Sequence, residues 1–171
     1  MFIIRSLFVM VAFTQVPSPL SAQSTDPLAR NPLAAYRDWN EPRWAFDALD
    51  DQFNIQYEWH DSVNPFYQRG DFDGDGQGDL AILLRQKSTR KVGIAFIHRS
   101  TQAVHVVGAG IPFGNGGDDF TWLGVWTVED GVALSEVEGF RTEVLFVAKP
   151  ESAGGLIYWD GKRYQWVQRG D

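Results

Sequence analysis

The spacing of apolar residues changes character along the chain, and the first regular pattern occupies residues 43–59 (RWAFDALDDQFNIQYEW). Four apolar residues in it recur at intervals of three and four, which is the period of one helix face: Phe46, Leu49, Phe53 and Tyr57. Pro42, just before this segment, suits a first helical turn. The pattern predicts one N-terminal amphipathic helix.

Beyond residue 78, short segments rich in Val, Ile and Phe are separated by short polar connectors, which is typical of β-strands joined by tight turns. The segments are 79–86, 91–99, 103–110, 121–128, 140–149, 154–161 and 162–168. Both faces of 91–99 are largely apolar, so we expect this strand at the centre of a sheet. Asp160-Gly161 predicts a hairpin with a two-residue turn. The fold class is therefore α+β, a mostly antiparallel β-sheet with one N-terminal helix.

The N-terminus has the composition of a targeting segment. Arg5 precedes a short apolar run (7–16), and prolines and small residues follow up to Ala22. This arrangement predicts a secretory signal peptide over 1–22, and the apolar run is short for a membrane span, although an uncleaved anchor is the alternative. We assign 23–42 to an extended leader and 43–171 to a single α+β domain, and we expect a periplasmic or extracellular protein.

Composition narrows the chemistry. The chain has 171 residues, of which 44% are hydrophobic and 14% aromatic, enough for a sizeable core. It has no cysteine, which excludes disulfides, thiolate zinc sites and a cysteine nucleophile. The formal net charge of −7 favours cations or basic partners over nucleic acid.

The most specific motif is RGDFDGDGQGDL, residues 69–80. Its four aspartates at loop positions 1, 3, 5 and 9 repel one another by about 1–4 kcal/mol per close pair, which argues for a bound cation. Ca²⁺ takes six to eight oxygen ligands, and a glycine at position 6 with a backbone carbonyl at position 7 suits such a loop. Mg²⁺ and Zn²⁺ fit less well. The alternative is a solvated polar turn. The residues concerned are Asp71, Asp73, Asp75, Gly76, Gln77 and Asp79.

The loop is not an EF-hand, because position 12 is Ile82 where an EF-hand has a bidentate Glu, and because DLAILLR reads as a strand. GDFDGDGQGDLAIL instead resembles the calcium loop of FG-GAP and VCBS-type repeats over residues 69–84. The chain contains one copy of this loop, whereas propellers built from such repeats need several. The chain is also too short for a seven-bladed propeller. YWDGK (158–162) resembles a hairpin of small secreted bacterial proteins of unknown function and assigns no activity.

The resemblance to FG-GAP and VCBS-type repeats implies a ligand set for the loop. It implies Ca²⁺ held by Asp71, Asp73, Asp75, the backbone carbonyl of Gln77, and Asp79. The fold class thus includes an Asp-rich calcium loop.

Other candidates have less specific signals. Arg69-Gly70-Asp71 and Arg169-Gly170-Asp171 match an adhesion tripeptide, but Asp71 is expected to serve the cation. His98 and His105 could pair across a hairpin, and two partly exposed strand histidines are the favoured interpretation.

Two further groups of residues are candidates for catalysis and recognition. The carboxylate pairs Asp118-Asp119 and Glu129-Asp130 are read as solvated turn residues rather than glycosidase acids. The strand pattern places Trp122 and Trp126 on one strand face. Three more aromatic residues lie in the last hairpin: Trp159, Tyr164 and Trp166. All five are core residues or, if exposed, a binding surface for a protein or a glycan.

The sequence as a whole predicts an exported calcium-binding protein that acts as a non-enzymatic binding or interaction module. Calcium would stabilise the 71–79 loop. We expect no nucleic-acid partner, and no membrane contact after signal cleavage. The alternatives are a small periplasmic or secreted hydrolase, and an enzyme inhibitor that uses the 110–120 loop.

Overall fold

The structure is a computed structural model that describes residues 43–132, 134 and 142–170. The predicted signal peptide (1–22) and leader (23–42) lie outside these residues. Across the part of the chain that is described, no helix combines the length and apolar character needed to cross a bilayer.

The described residues form two short helices and nine strands. The helices are α1 (Arg43–Ala48) and α2 (Asp51–Gln56). The strands are β1 (Tyr57–Trp59), β2 (Tyr67–Gly70), β3 (Asp79–Gln86), β4 (Val92–Ile97), β5 (Val104–Gly108), β6 (Val125–Asp130), β7 (Glu143–Ala148), β8 (Gly154–Trp159) and β9 (Tyr164–Arg169). A 3-10 turn covers Gly114–Gly116.

The strands make two antiparallel sheets. In the first sheet the order is β1-β3-β4-β5, and β2 pairs with β3 further along the edge that β1 also uses. The second sheet is a meander in the order β6-β7-β8-β9. The predicted mostly antiparallel β architecture is therefore confirmed, but it is divided between two sheets.

One face of each sheet packs against the other to form the main core. Alternate residues of β3 and β4 point into it, as the two-residue period of a strand requires. Its fully buried members include Ala81, Leu83, Ile94, Phe96, Leu145, Val147 and Ile157. The opposite face of the first sheet is covered by residues of the helical segment, including Ala45 and Leu49.

Strand β4 is central, as its two apolar faces predicted. All six of its residues are buried. It pairs with β3 on one side and with β5 on the other. His98 directly follows it and is also buried, so this side chain belongs to the interior.

The predicted single helix over 43–59 is replaced by two helices and a strand. Asp50 interrupts the helix because its carboxylate accepts a hydrogen bond from the Phe53 amide at 2.7 Å, which caps the start of α2. Tyr57 then pairs with Gln86 in the first sheet. The apolar spacing located the segment correctly, but sheet pairing and the cap determine where each helix ends.

The C-terminal hairpin forms where Asp160-Gly161 predicted it, but the predicted two-residue turn is wrong: four residues (160–163) connect the paired Trp159 and Tyr164. Tyr158 pairs with Gln165, and the Asp160 amide donates to the Arg163 carbonyl at 3.1 Å. The Asp160 carboxylate accepts from the amides of Lys162 and Arg163, at 2.8 and 2.9 Å. These bonds and the hydrogen bond from Gln165 lower the pKa of Asp160, with the Gln165 bond the largest cause.

Candidate metal centre

The aspartate loop, residues 71–78, joins β2 to β3. Because Gly70 pairs with Asp79, the two ends of the loop lie side by side in the first sheet. The loop also contacts the second sheet: the Asp71 amide donates to Glu143 Oε2 at 2.6 Å, and the Glu143 amide donates to the Asp71 carbonyl at 3.2 Å. Residues of both sheets therefore hold the loop.

The loop is curled by its own carboxylates. Asp71 accepts from the amides of Gly74 and Gly76, at 2.9 and 3.1 Å. Asp73 Oδ1 accepts from the Asp75 amide at 3.1 Å, and Asp75 Oδ1 accepts from the Gln77 amide at 2.7 Å. These short-range bonds are the local turns that Asp favours.

Two glycines provide the backbone conformations that this curl needs. Gly74 has φ +80 and Gly76 has φ +84, both in the left-handed region. A Cβ on Gly76 would meet nothing within 4 Å, so this position requires glycine for its backbone angle and not for space. The sharp turn predicted at Gly76 is present.

The curl brings three carboxylates together. Asp71, Asp73 and Asp75 each offer an oxygen within 4.8 Å of the others, and we call them the outer triad. Asp75 is exposed, whereas Asp71 and Asp73 are half-buried. The hydrogen bond from Ser100, followed by that from the Gln77 amide, lowers the pKa of Asp75.

Asp79 differs from the outer triad because it is fully buried. Its Oδ2 accepts from the amides of Phe72 and Asp73, at 3.0 and 3.2 Å, and its Oδ1 accepts from the Arg99 amide at 2.9 Å. Burial raises the pKa of Asp79 to about 6, and the Arg99 amide bond opposes that rise. A carboxylate has about four acceptor positions, so these bonds leave about one for a cation.

A second group of donors lies on the inner side of the loop. Asp73, Asp79 and His98 offer ligand atoms within 4.8 Å of one another, and we call them the inner triad. His98 Nδ1 lies 3.3 Å from Asp73 Oδ2, and His98 Nε2 lies 2.7 Å from the Tyr164 hydroxyl. Burial lowers the pKa of His98, and the nearby Asp73 carboxylate opposes that shift.

Aromatic rings enclose His98. Its ring centroid lies 4.7 Å from that of His105, 4.9 Å from that of Trp159 and 5.8 Å from that of Tyr164. The two histidines are thus neighbours, but the expectation of two partly exposed histidines is wrong for His98, which is 3% exposed. The signal was present in the sequence, because His98 shares the strand face of Ile94 and Phe96.

The sequence also predicted Gln77 as a ligand through its backbone carbonyl. Gln77 is exposed at the end of the loop. Its amide donates to Asp75, as described above, and its side-chain amide lies 3.4 Å from Asp75 Oδ2. The turn that precedes β3 is thereby formed, and its carbonyl remains a predicted ligand.

The donor set suits a hard divalent cation. The outer triad contributes carboxylate oxygens only, and Ca²⁺ prefers such oxygens in a flexible cage. The Asp-rich groups could therefore hold a metal ion.

The adhesion tripeptide at 69–71 is occupied by the loop itself. Both Asp71 oxygens accept loop amides, and Gly70 is buried. In the second copy, Arg169 pairs with Glu129 at 2.5 Å, while Asp171 lies outside the described residues.

The other carboxylate pairs contribute to the fold. Asp118 pairs with Lys91, and Asp119 accepts from the amides of Val92 and Thr121, at 3.0 and 3.1 Å. Asp130 accepts from the Val132 amide at 2.9 Å. These acids hold loops in place rather than facing each other as a catalytic pair.

The tryptophans have separate roles. Trp126 is 3% exposed and belongs to the core, and its indole donates to the Pro65 carbonyl at 2.8 Å. Trp122 precedes β6 and so does not share a strand face with Trp126. Instead it packs edge to face on Trp166, at 6.3 Å between centroids. These two half-buried rings flank a shallow recess of about 170 Å³, lined also by Lys149, Ser152 and Gln168.

Comparisons with protein-family models, with curated proteins and with solved structures found no match to this chain.

Proposed function

We propose that this chain is an exported calcium-binding protein that acts as a non-enzymatic binding or interaction module, with Ca²⁺ stabilising the 71–79 loop. The proposed ligands are the carboxylates of Asp71, Asp73, Asp75 and Asp79 and the backbone carbonyl of Gln77. The single observation that supports the proposal best is the convergence of the outer triad.

The electrostatic reason is crowding. Each close pair of carboxylates costs about 1–4 kcal/mol according to the local dielectric, and a divalent cation at their common centre would reverse the sign of that interaction. Asp73 links the outer triad to Asp79, which approaches from the buried side. Calcium would thus join an exposed loop to a carboxylate anchored in the first sheet.

Export rests on the predicted signal peptide, residues 1–22. Extracellular calcium modules bind with a Kd of about 10⁻⁴–10⁻³ M, so a site in an exported protein serves as a structural staple rather than a sensor. The proposed role of the ion is therefore to keep the loop ordered against both sheets.

The partner surface that we propose is the recess between Trp122 and Trp166. The half-buried indole rings offer apolar surface to sugar rings or to protein side chains, and Lys149 and Gln168, which also line the recess, add polar groups. The hydrolase considered as an alternative has less support, because its candidate carboxylate pairs are engaged in turns and ion pairs. In the inhibitor alternative, the 110–120 loop would insert into a partner, but the half-buried Phe113 packs on Phe120 and Trp166.

A calcium titration followed by thermal melting tests the proposal. At tenfold excess over Kd, a ligand that binds only the native state stabilises it by about 1.4 kcal/mol, which raises the melting temperature by about 3–8 °C. The variants Asp73→Ala and Asp75→Ala should lose this rise. Asp47→Asn, an exposed change in α1 and outside the loop, is the matched control and should keep it. Equal shifts in all four proteins, or none in the parent, would remove the calcium site.

A further inference from the structure

A buried nitrogen donor beside the aspartate loop has no role in the calcium proposal. Calcium takes oxygen ligands, yet the inner triad contains His98, whose Nδ1 lies 3.3 Å from Asp73 Oδ2. Imidazole together with carboxylates suits borderline divalent ions such as Zn²⁺. The inner triad is therefore chemically distinct from the outer one, although the two share Asp73.

The spacing of the donors fits such an ion. Two donors bound at about 2.0–2.2 Å to a tetrahedral ion lie about 3.3–3.6 Å apart, and the separation of His98 Nδ1 from Asp73 Oδ2 falls in this range. Asp79 completes the triad within 4.8 Å. Water or another ligand would occupy the fourth position of a catalytic or exchangeable site.

The groups behind the donors are those that orient metal ligands. A metal-binding histidine usually engages its second ring nitrogen in a hydrogen bond, and ligating carboxylates are themselves hydrogen-bonded. His98 Nε2 contacts the Tyr164 hydroxyl at 2.7 Å, which fixes the ring with Nδ1 toward Asp73. Three backbone amides fix the Asp79 carboxylate.

The local charge is also unbalanced. Asp73 and Asp79 are adjacent carboxylates, one with an 11% exposed side chain and one fully buried. Among the ion pairs of the described residues, Asp73 pairs with His98, and no lysine or arginine side chain pairs with either carboxylate. Buried charges are ordinarily paired or coordinate a metal.

We propose that Asp73, Asp79 and His98 form an inner site for a borderline divalent transition ion such as Zn²⁺, with His98 Nδ1 as the nitrogen ligand. The proposal deepens the proposed function because it shares Asp73 and Asp79 with the calcium site. Zn²⁺ binding at the inner site does not require bound calcium, because His98 supplies a third ligand that the calcium site does not use.

The test measures Zn²⁺ affinity of the metal-stripped full chain by competition with a chromophoric chelator. In His98→Gln the side-chain amide replaces Nε2 and can keep the Tyr164 contact, while the Nδ1 donor is lost. Loss of a ligating donor should weaken Zn²⁺ binding by more than about 100-fold, since losing a group that only orients a metal ligand already costs about 10–100-fold. The matched control is His105→Gln, which alters the neighbouring ring but removes no ligand atom, so it should weaken Zn²⁺ binding far less than His98→Gln does.

A second readout needs no substitution. In the parent chain labelled with ¹⁵N-histidine, Zn²⁺ should shift the Nδ1 resonance of His98 by far more than those of His60 and His105. This measurement decides the matter even if His98→Gln does not fold. No Zn²⁺ binding, binding that persists unchanged in a folded His98→Gln, or a shift confined to other histidines would overturn the proposal.

The two metal proposals can fail separately. Calcium binding to oxygen ligands should survive in His98→Gln, as judged by the calcium-induced rise in melting temperature. Zn²⁺ ligation by His98 without any calcium response would leave the inner site standing and remove the calcium function. A calcium response without Zn²⁺ ligation would do the reverse.

Discussion

The outer and inner triads share Asp73 but are built in different ways. The outer triad comes from five consecutive residues, is partly exposed, and is shaped by turns that its own carboxylates make. The inner triad draws on the loop, the start of β3 and the residue after β4, and a hydroxyl from β9 orients it. The outer triad is thus formed within one loop, whereas the inner triad needs β3 and β4 to pair and is oriented by a residue of the second sheet.

This difference predicts which substitutions change metal affinity and which change the stability of the fold. Substitution of Asp75, the exposed member of the outer triad, should change ion affinity with little effect on the metal-free fold. Substitutions around the buried triad should destabilise the fold even without metal, because they leave buried polar groups unsatisfied.

The largest expected effect is that of Asp79→Ala. It removes the acceptor of three backbone amides at a fully buried position, and each unsatisfied buried group costs about 1–3 kcal/mol. We expect the free energy of unfolding in chelator to fall by at least about 3 kcal/mol, measured by urea denaturation. Asp75→Ala is the control from the outer triad and should shift the urea denaturation curve far less. Equal losses would erase the distinction between the two triads.

A smaller loss is expected from Tyr164→Phe. The change keeps the ring that stacks on Phe96 at 3.9 Å between centroids and removes only the hydroxyl that contacts His98. A buried hydrogen-bonding group left without its partner costs about 1–3 kcal/mol. Denaturation in chelator measures this cost. An unchanged midpoint would show that the hydroxyl does not fix the His98 ring.

The sequence located the outer triad because its determinants are contiguous. Alternating aspartates, Gly74 and Gly76 specify the curl within one loop. The strand periodicity likewise predicted β3 at 79–86 and the central position of β4. Each of these features depends on neighbours a few residues away.

The sequence did not reveal the inner triad or the split into two sheets, because both depend on packing between distant segments. Tyr164 reaches His98 across 66 positions of the chain. The helical segment shows the same limit at short range, since Asp50 caps α2 through its own carboxylate but α2 ends where Tyr57 pairs with β3. Apolar spacing alone favours one continuous helix there.

The glycines of the loop permit a matched comparison of intermediate size. Gly76→Ala places a residue with a Cβ at φ +84, where the added atom meets nothing within 4 Å. The expected loss in the free energy of unfolding is therefore the backbone strain alone, about 1–2 kcal/mol. Gly78→Ala has equal space and no left-handed backbone angle, so it should be neutral or slightly stabilising. Thermal melting of the two variants separates strain from space. A Gly78→Ala protein that melts as low as Gly76→Ala would contradict the described loop conformation.

The smallest expected effect is the loss of stability at acidic pH that His105 causes. Burial, and then the neighbouring His98, lower the pKa of His105 below 6.5. The unfolded chain therefore takes up a proton at this position first as pH falls below about 6.5, which lowers the free energy of unfolding. The stabilisation is fully present above that pH. His105→Gln should reduce the decline between about pH 7 and pH 5 in denaturation curves. A decline that is equally steep in the variant would refute the contribution of this ring.

The central claim is that a cation neutralises the crowded carboxylates of the 71–79 loop. Equilibrium dialysis of the chelator-treated full chain against Ca²⁺, in parallel with Asp71→Asn and Asp75→Asn, tests it most directly. We expect saturable binding of a single calcium ion in the parent, with affinity reduced in both variants. Calcium uptake that never saturates, or that is identical in all three proteins, would contradict the account.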